Sequence, residues 1–188
     1  MKKGIIPLLS IVALATMASA AAGQKQAPSP VKFDVFAGVA LPHGDGSDVM
    51  KTGYTVGGGL DVRDPKTPFG LRAELLYSGL DMKDSNGAVD QGMTDFGGNG
   101  NAVFWIGTGA PVTGYLTGGP SYAHLTYSGT TGQFSGYTIQ NHWGVNYGAG
   151  IEFPLGSLST RLDVRYREIS MDGGGTFETI PITFGITF

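Results

Sequence analysis

The chain has 188 residues, a formal net charge of −3 and no cysteine. The missing cysteines exclude a disulfide framework, thiol redox chemistry and a thiolate metal site, and the acidic balance lacks the basic stripe of a nucleic-acid-binding surface. The length suits one domain. Glycine is abundant, at 32 residues, while charged residues make up only 14%. Glycine costs about 1 kcal/mol relative to alanine at a helical position but suits turns, bulges and tightly curved sheets, so an all-β fold is expected.

Met1-Lys2-Lys3 is a short positive region, Gly4 to Met17 is apolar, and Ala18-Ser19-Ala20 has the small-x-small spacing of a cleavage site. This pattern predicts an export signal over residues 1–20, because the apolar run is shorter than the ~20 residues a membrane-spanning helix requires. Residues 21–30, with Pro28 and Pro30, read as a flexible lead. Residues 31–188 form the predicted barrel.

Alternating apolar and polar positions, the signature of strands with two different faces, then recur along the chain. The predicted strands are Val31–Leu41, Gly53–Arg63, Phe69–Gly79, about Thr94–Ile106, about Val112–Tyr127, about Asn141–Phe153, Leu158 to about Ile169, and Phe177–Phe188. The period is clear everywhere except in the fifth, where Pro120 and the glycines leave the faces open and point to a bulge. Connections alternate in length. Asp64–Pro68, Gly107–Pro111 and Pro154–Ser157 are short, whereas Pro42–Thr52, Leu80–Met93, Ser128–Gln140 and Ser170–Thr176 are long and polar. In an up-and-down meander all the long loops fall at one end, as in outer-membrane barrels with extracellular loops and short periplasmic turns.

Alternation alone also fits a soluble lipocalin-like carrier with its apolar face inward. Two features separate the readings. The polar faces of the clear strands carry Lys32, Arg63, Arg72, Arg161, Arg165 and Arg167 against Asp34, Asp61, Glu74, Asp95, Glu152 and Asp163. This parity of signs suits a closed interior where charges must pair. The apolar faces carry Phe33, Phe69, Phe104, Tyr115, Phe153 and Phe188 toward the short-turn end, and Tyr54, Tyr77, Phe96, Trp143 and Tyr166 toward the long-loop end. Two aromatic girdles around an aliphatic band are what a bilayer selects. The expected fold is an eight-stranded antiparallel up-and-down transmembrane β-barrel.

The stretch Trp143 to Phe153 (WGVNYGAGIEF), a short turn and Leu158 to Arg167 (LSTRLDVRYR) resemble the penultimate hairpin of the OmpA/OmpX-like outer-membrane β-barrel superfamily. The terminal ITFGITF resembles the signal read by the barrel-assembly machinery, carried on Phe184, Ile186 and Phe188. The resemblance implies integral insertion in the bacterial outer membrane and contact with its lipid and lipopolysaccharide. It further implies a frequently non-catalytic structural or surface-interaction role, with long loops open to an extracellular ligand. No cofactor is expected, and no periplasmic peptidoglycan-binding domain.

An alternative is a lipid A-modifying hydrolase, for which His124 with Thr126 and Ser128 is the candidate arrangement. Thr126 stands where a nucleophilic serine is wanted. His142 is expected to face inward toward Glu152 and the arginines, and His43 to lie in a loop. The three histidines lack metal-site spacing. Asp81, Asp84, Asn86 and Asp90 in the second long loop miss the alternating oxygen ligands of a calcium loop, and the glycine clusters match no phosphate-binding fingerprint.

Overall fold

The structure, a computed structural model, describes residues 30–64, 66–83, 92–107, 111–129, 136–156 and 158–188. The predicted signal, the lead up to residue 29, and the loop residues Asp84, Asn86 and Asp90 lie outside the described residues. Eight strands follow one another: β1 (Val31–His43), β2 (Gly53–Arg63), β3 (Phe69–Asp81), β4 (Gly92–Ile106), β5 (Thr113–Gly129), β6 (Gly136–Leu155), β7 (Leu158–Ser170) and β8 (Thr176–Thr187). A four-residue helix, α1 (Gly46–Val49), sits in the first long loop.

Each strand pairs antiparallel with its neighbour, and β8 returns to β1 to close the ring. Closure leaves no unpaired edge. The backbone N–H of Phe188 donates to the Phe33 carbonyl at 2.8 Å just beyond the last strand pair. Stepping from Asp34 through Gly59, Glu74, Asn99, Ser121, Gly144 and Ile169 leads to Phe177. Its neighbour Glu178 pairs with His43. The circuit therefore comes back to β1 about ten residues along, which tilts the strands by about 40° at ~3.3 Å per residue and ~4.8 Å between strands. Such a ring is narrow enough for its own side chains to fill.

The expected bulge in β5 is absent. Asn99↔Ser121 and Ala102↔Gly118 lie in the same register on either side of Pro120. The missing proline N–H interrupts the ladder for two positions without adding a residue. Gly119 accommodates it: a Cβ there would lie 2.0 Å from the Gly100 carbonyl oxygen, so only glycine permits the local approach of β4 and β5. The register also settles the faces of this strand. Tyr115, Thr117, Ser121, Ala123, Leu125 and Tyr127 are buried, while Leu116 is exposed on the outside.

Gly107 (φ 76°) and Gly156 (φ 64°) adopt the left-handed conformation in two of the short turns, where a Cβ would be strained. The long-loop end is more ordered than the loop assignments anticipate. The β5–β6 hairpin extends to Gly129 and Gly136. Met50 forms a β-bridge with Met82, flanked by bonds from Lys51 N–H to the Asp81 carbonyl (2.8 Å) and Lys83 N–H to the Val49 carbonyl (2.7 Å). The first two long loops are thereby joined.

Candidate functional site in the barrel lumen

Because every strand alternates, one face of the ring converges on a lumen and the other forms its outer wall. The lumen is layered. At the short-turn end Lys32 Nζ lies 3.5 Å from Glu152 Oε1, and Trp105 Nε1 donates to Glu152 Oε2 at 3.3 Å. The Arg63 guanidinium stacks over the Trp105 ring at 4.4 Å.

The middle layer is ionic. Arg72 clasps Asp61 with two bonds, Nε to Oδ1 at 2.5 Å and Nη2 to Oδ2 at 2.9 Å. Arg161 Nη2 donates to Asp34 Oδ1 and Glu74 Oε1, both at 2.9 Å. Arg165 joins two acids: it donates to both Glu74 oxygens and, through Nε, to Asp163 Oδ1 at 2.6 Å. Arg167 binds Asp95 and the Tyr122 carbonyl. Neutral groups extend the network. Asn101 Nδ2 donates to Glu74 Oε2 at 3.3 Å, and Asn146 Nδ2 donates to Asn101 Oδ1 at 2.9 Å and Ser121 Oγ at 3.1 Å.

Glycines on the inward face make room for these large side chains. A Cβ on Gly57, Gly70, Gly97 or Gly150 would meet Phe36, Trp105, Arg167 or Tyr115 at 2.4, 2.8, 2.7 or 2.4 Å respectively. The abundance of glycine that excludes helix thus also fills the lumen, since each inward vacancy on one strand is occupied from another.

Above the ions lies a cavity of about 30 Å³, room for a water or two. Glu74, Asp95, Arg165 and Arg167 line it below, and Leu80 and Phe177 above. Over it, at the long-loop end, Leu80, Met93, Leu125, Tyr127, Ile169 and Phe177 form an apolar cap, with Met50, Met82 and Met171 packed against it. Sequence reasoning missed this cap. Its residues share the parity of the charged positions, but they fall at strand ends that the alternation assigned to loops or left without a face.

Of the twelve residues expected in the lumen network, Asp34, Asp61, Arg72, Glu74, Asp95, Arg161, Asp163, Arg165 and Arg167 are buried, and Lys32, Arg63 and Glu152 are half-buried near the short-turn rim. Outside, Phe33, Phe69, Phe104 and Phe188 are exposed near one end, and Tyr54, Tyr77, Phe96 and Trp143 near the other; Phe153 and Tyr166 are half-buried. Neighbouring rings touch, at 4.9 Å for Phe69 with Phe104 and 5.1 Å for Tyr122 with Trp143. Tyr122 and Tyr147 join the outer wall; the outward parity of β5 identifies the first once the register is known.

Tyr115 does not belong to a girdle. It is buried in the lumen, donating its hydroxyl to Asp163 Oδ2 at 2.5 Å beneath the Arg72 guanidinium. A phenol can serve either face, and the glycines around it hid the parity. His142 also differs from expectation. It faces inward, but its Nε2 partners Gln140 Oε1 at 3.2 Å, at the opposite end of β6 from Glu152. His43 ends β1 rather than lying in a loop, and packs edge-on against Tyr166 at 5.8 Å.

His124 is outward-facing, with Nδ1 2.6 Å from Asn141 Oδ1, which also accepts the Tyr122 hydroxyl at 2.8 Å. Ser128 lies four residues farther along β5, ~13 Å away in backbone distance. Among the described residues, no three His, Cys, Asp or Glu side chains gather as a metal-ligand set.

A closed eight-stranded ring, apolar and aromatic outside and ion-paired inside, is the architecture of a small membrane-spanning barrel. The sequence matches the outer membrane protein beta-barrel domain over residues 10–188, and the chain belongs to that family. It is an integral protein of the bacterial outer membrane. Among solved structures it is similar to Neisserial surface protein A, at 15% identity and a TM-score of 0.60, covering 86% of this chain and 98% of that one. A major outer membrane protein from Thermus thermophilus aligns at 15% identity and a TM-score of 0.55, covering 84% and 98%. OprG from Pseudomonas aeruginosa aligns at 14% and 0.54, covering 84% and 95%. At these identities the likeness is one of fold. No curated protein matches the chain.

Proposed function

We propose that the protein is a non-catalytic barrel that contributes to envelope integrity and presents its long loops for surface contact. The observation that carries this reading is the filled lumen. Four buried arginines are interleaved with five buried acids, and an apolar cap packs over them, so side chains occupy the lumen where a solute channel would run. On this reading the leader directs export, and the strand ending at Phe184, Ile186 and Phe188 is read by the barrel-assembly machinery. The girdles contact outer-membrane lipid and lipopolysaccharide, and the loops meet an extracellular ligand. No hydrolytic step is assigned to His124, whose Nδ1 is engaged by Asn141.

Reconstitution into planar bilayers tests the reading. The barrel inserts, as judged by a heat-dependent shift in gel mobility, yet produces no stable solute-sized conductance steps. Reproducible open-channel steps from the wild-type protein would replace the proposal with a transport function.

A further inference from the structure

Six methionines occur in the chain. Met1 and Met17 precede the described residues, and the other four, Met50, Met82, Met93 and Met171, all gather at the outer mouth of the lumen. None lies in the ionic layer or on the lipid-facing wall. Leucine, isoleucine and phenylalanine already supply the apolar filling there, so the concentration of thioethers calls for a reason of its own. Met50 and Met82 are direct cross-strand partners in the bridge that joins the first two long loops. That pairing sets their Cβ atoms about 4.5–5.5 Å apart. Both pack against the cluster that contains Met93, as does Met171 from the turn after β7. Met93 is buried, while the other three are half-buried. Met93 thus lies within the cap at the outer mouth, and Met50, Met82 and Met171 pack against that cap.

Thioethers are neutral, polarisable, soft donors. They discriminate against magnesium, calcium and zinc and favour monovalent copper and its analogues. The outer rim is acidic: among the described charged residues there, Asp45, Asp48, Asp81, Asp172 and, on its outward side, Glu168 and Glu178 outnumber Lys51 and Lys83. Such a field raises the local concentration of cations. We propose that the outer mouth is a binding site for a soft monovalent metal ion, Cu⁺ or Ag⁺, with Met50, Met82, Met93 and Met171 as its sulfur ligands.

Silver titration of the folded full chain in detergent, labelled with ¹³C at the methionine methyl groups, tests this without redox complications. At one equivalent of Ag⁺ the methyl signals of the four mouth methionines shift and saturate together, while those of Met1 and Met17 do not. The double variant Met50→Leu/Met82→Leu preserves side-chain volume closely enough to fold. It retains the heat-dependent gel shift and binds Ag⁺ at least tenfold more weakly. An absent response, an equal response of all six methyls, or undiminished binding by the folded double variant would each overturn the proposal and leave the cluster as an adaptable apolar plug. None of these outcomes bears on the conductance test of the barrel's general role.

Discussion

Arg165→Leu lowers the unfolding free energy of the barrel by about 3–5 kcal/mol, the range found when one partner of a buried ion pair is removed. Among the described residues, Arg165 is the only side chain that hydrogen-bonds to both Glu74 and Asp163. The buried ionic layer already holds five acids, Asp34, Asp61, Glu74, Asp95 and Asp163, against Arg72, Arg161, Arg165 and Arg167. Loss of one guanidinium leaves five acids facing three arginines in a closed space. Arg161 still bonds to Glu74, and Tyr115 to Asp163, so the loss is large but does not abolish folding. Urea unfolding in micelles, followed by tryptophan fluorescence, measures it. Adding Glu74→Leu to the variant recovers part of the lost stability, because the stranded carboxylate is then removed. A midpoint unchanged by Arg165→Leu would contradict an interior network.

Gly150→Val has the second largest effect, about 3 kcal/mol, from overpacking and a broken buried hydrogen bond. Its Cβ would sit 2.4 Å from the Tyr115 ring and hydroxyl and 2.6 Å from the Leu162 carbonyl oxygen. The ring must leave its place under Arg72, and Asp163 then loses the phenol as donor. Tyr115→Ala in the Gly150→Val background removes the clash with the ring but neither the contact with the Leu162 carbonyl nor the loss of the hydrogen bond. The double variant is accordingly expected to be more stable than Gly150→Val alone and less stable than wild type. Full stability of Gly150→Val by the same unfolding assay would mean that Tyr115 is not held where its register with Gly150 puts it.

Much of the architecture was legible because a barrel wall is the simplest periodic object a sequence can encode. Each residue from Phe69 to Gly79 states its face by odd or even position, and the difference between Asp64–Pro68 and Pro42–Thr52 states which end it belongs to. What stayed hidden was whatever broke that period. In β5 glycines stand on both faces and blur the alternation around Tyr115, and the register with Gly150 on β6 fixes its side. Pro120 looked like a bulge because its missing N–H is visible in the sequence, whereas the close approach allowed by Gly119 and Gly100 is not. The cap was hidden for a different reason. Met50, Met82 and Met171 lie in connections, where polarity and turn residues dominate the local signal and inward packing is decided by contacts distant in sequence.

The absence of native cysteine makes the central claim directly measurable. A nitroxide attached through Leu75→Cys and another through Leu76→Cys sit on adjacent residues at the same depth, one 63% exposed on the outer wall and the other 6% exposed in the lumen. In bilayers, the label at residue 75 is expected to be relaxed by oxygen dissolved in lipid and shielded from a water-soluble nickel complex, and the label at residue 76 to be shielded from both. Lipid contact at residue 76, or aqueous contact at residue 75, would contradict a barrel with its charges inside and its apolar wall in the membrane.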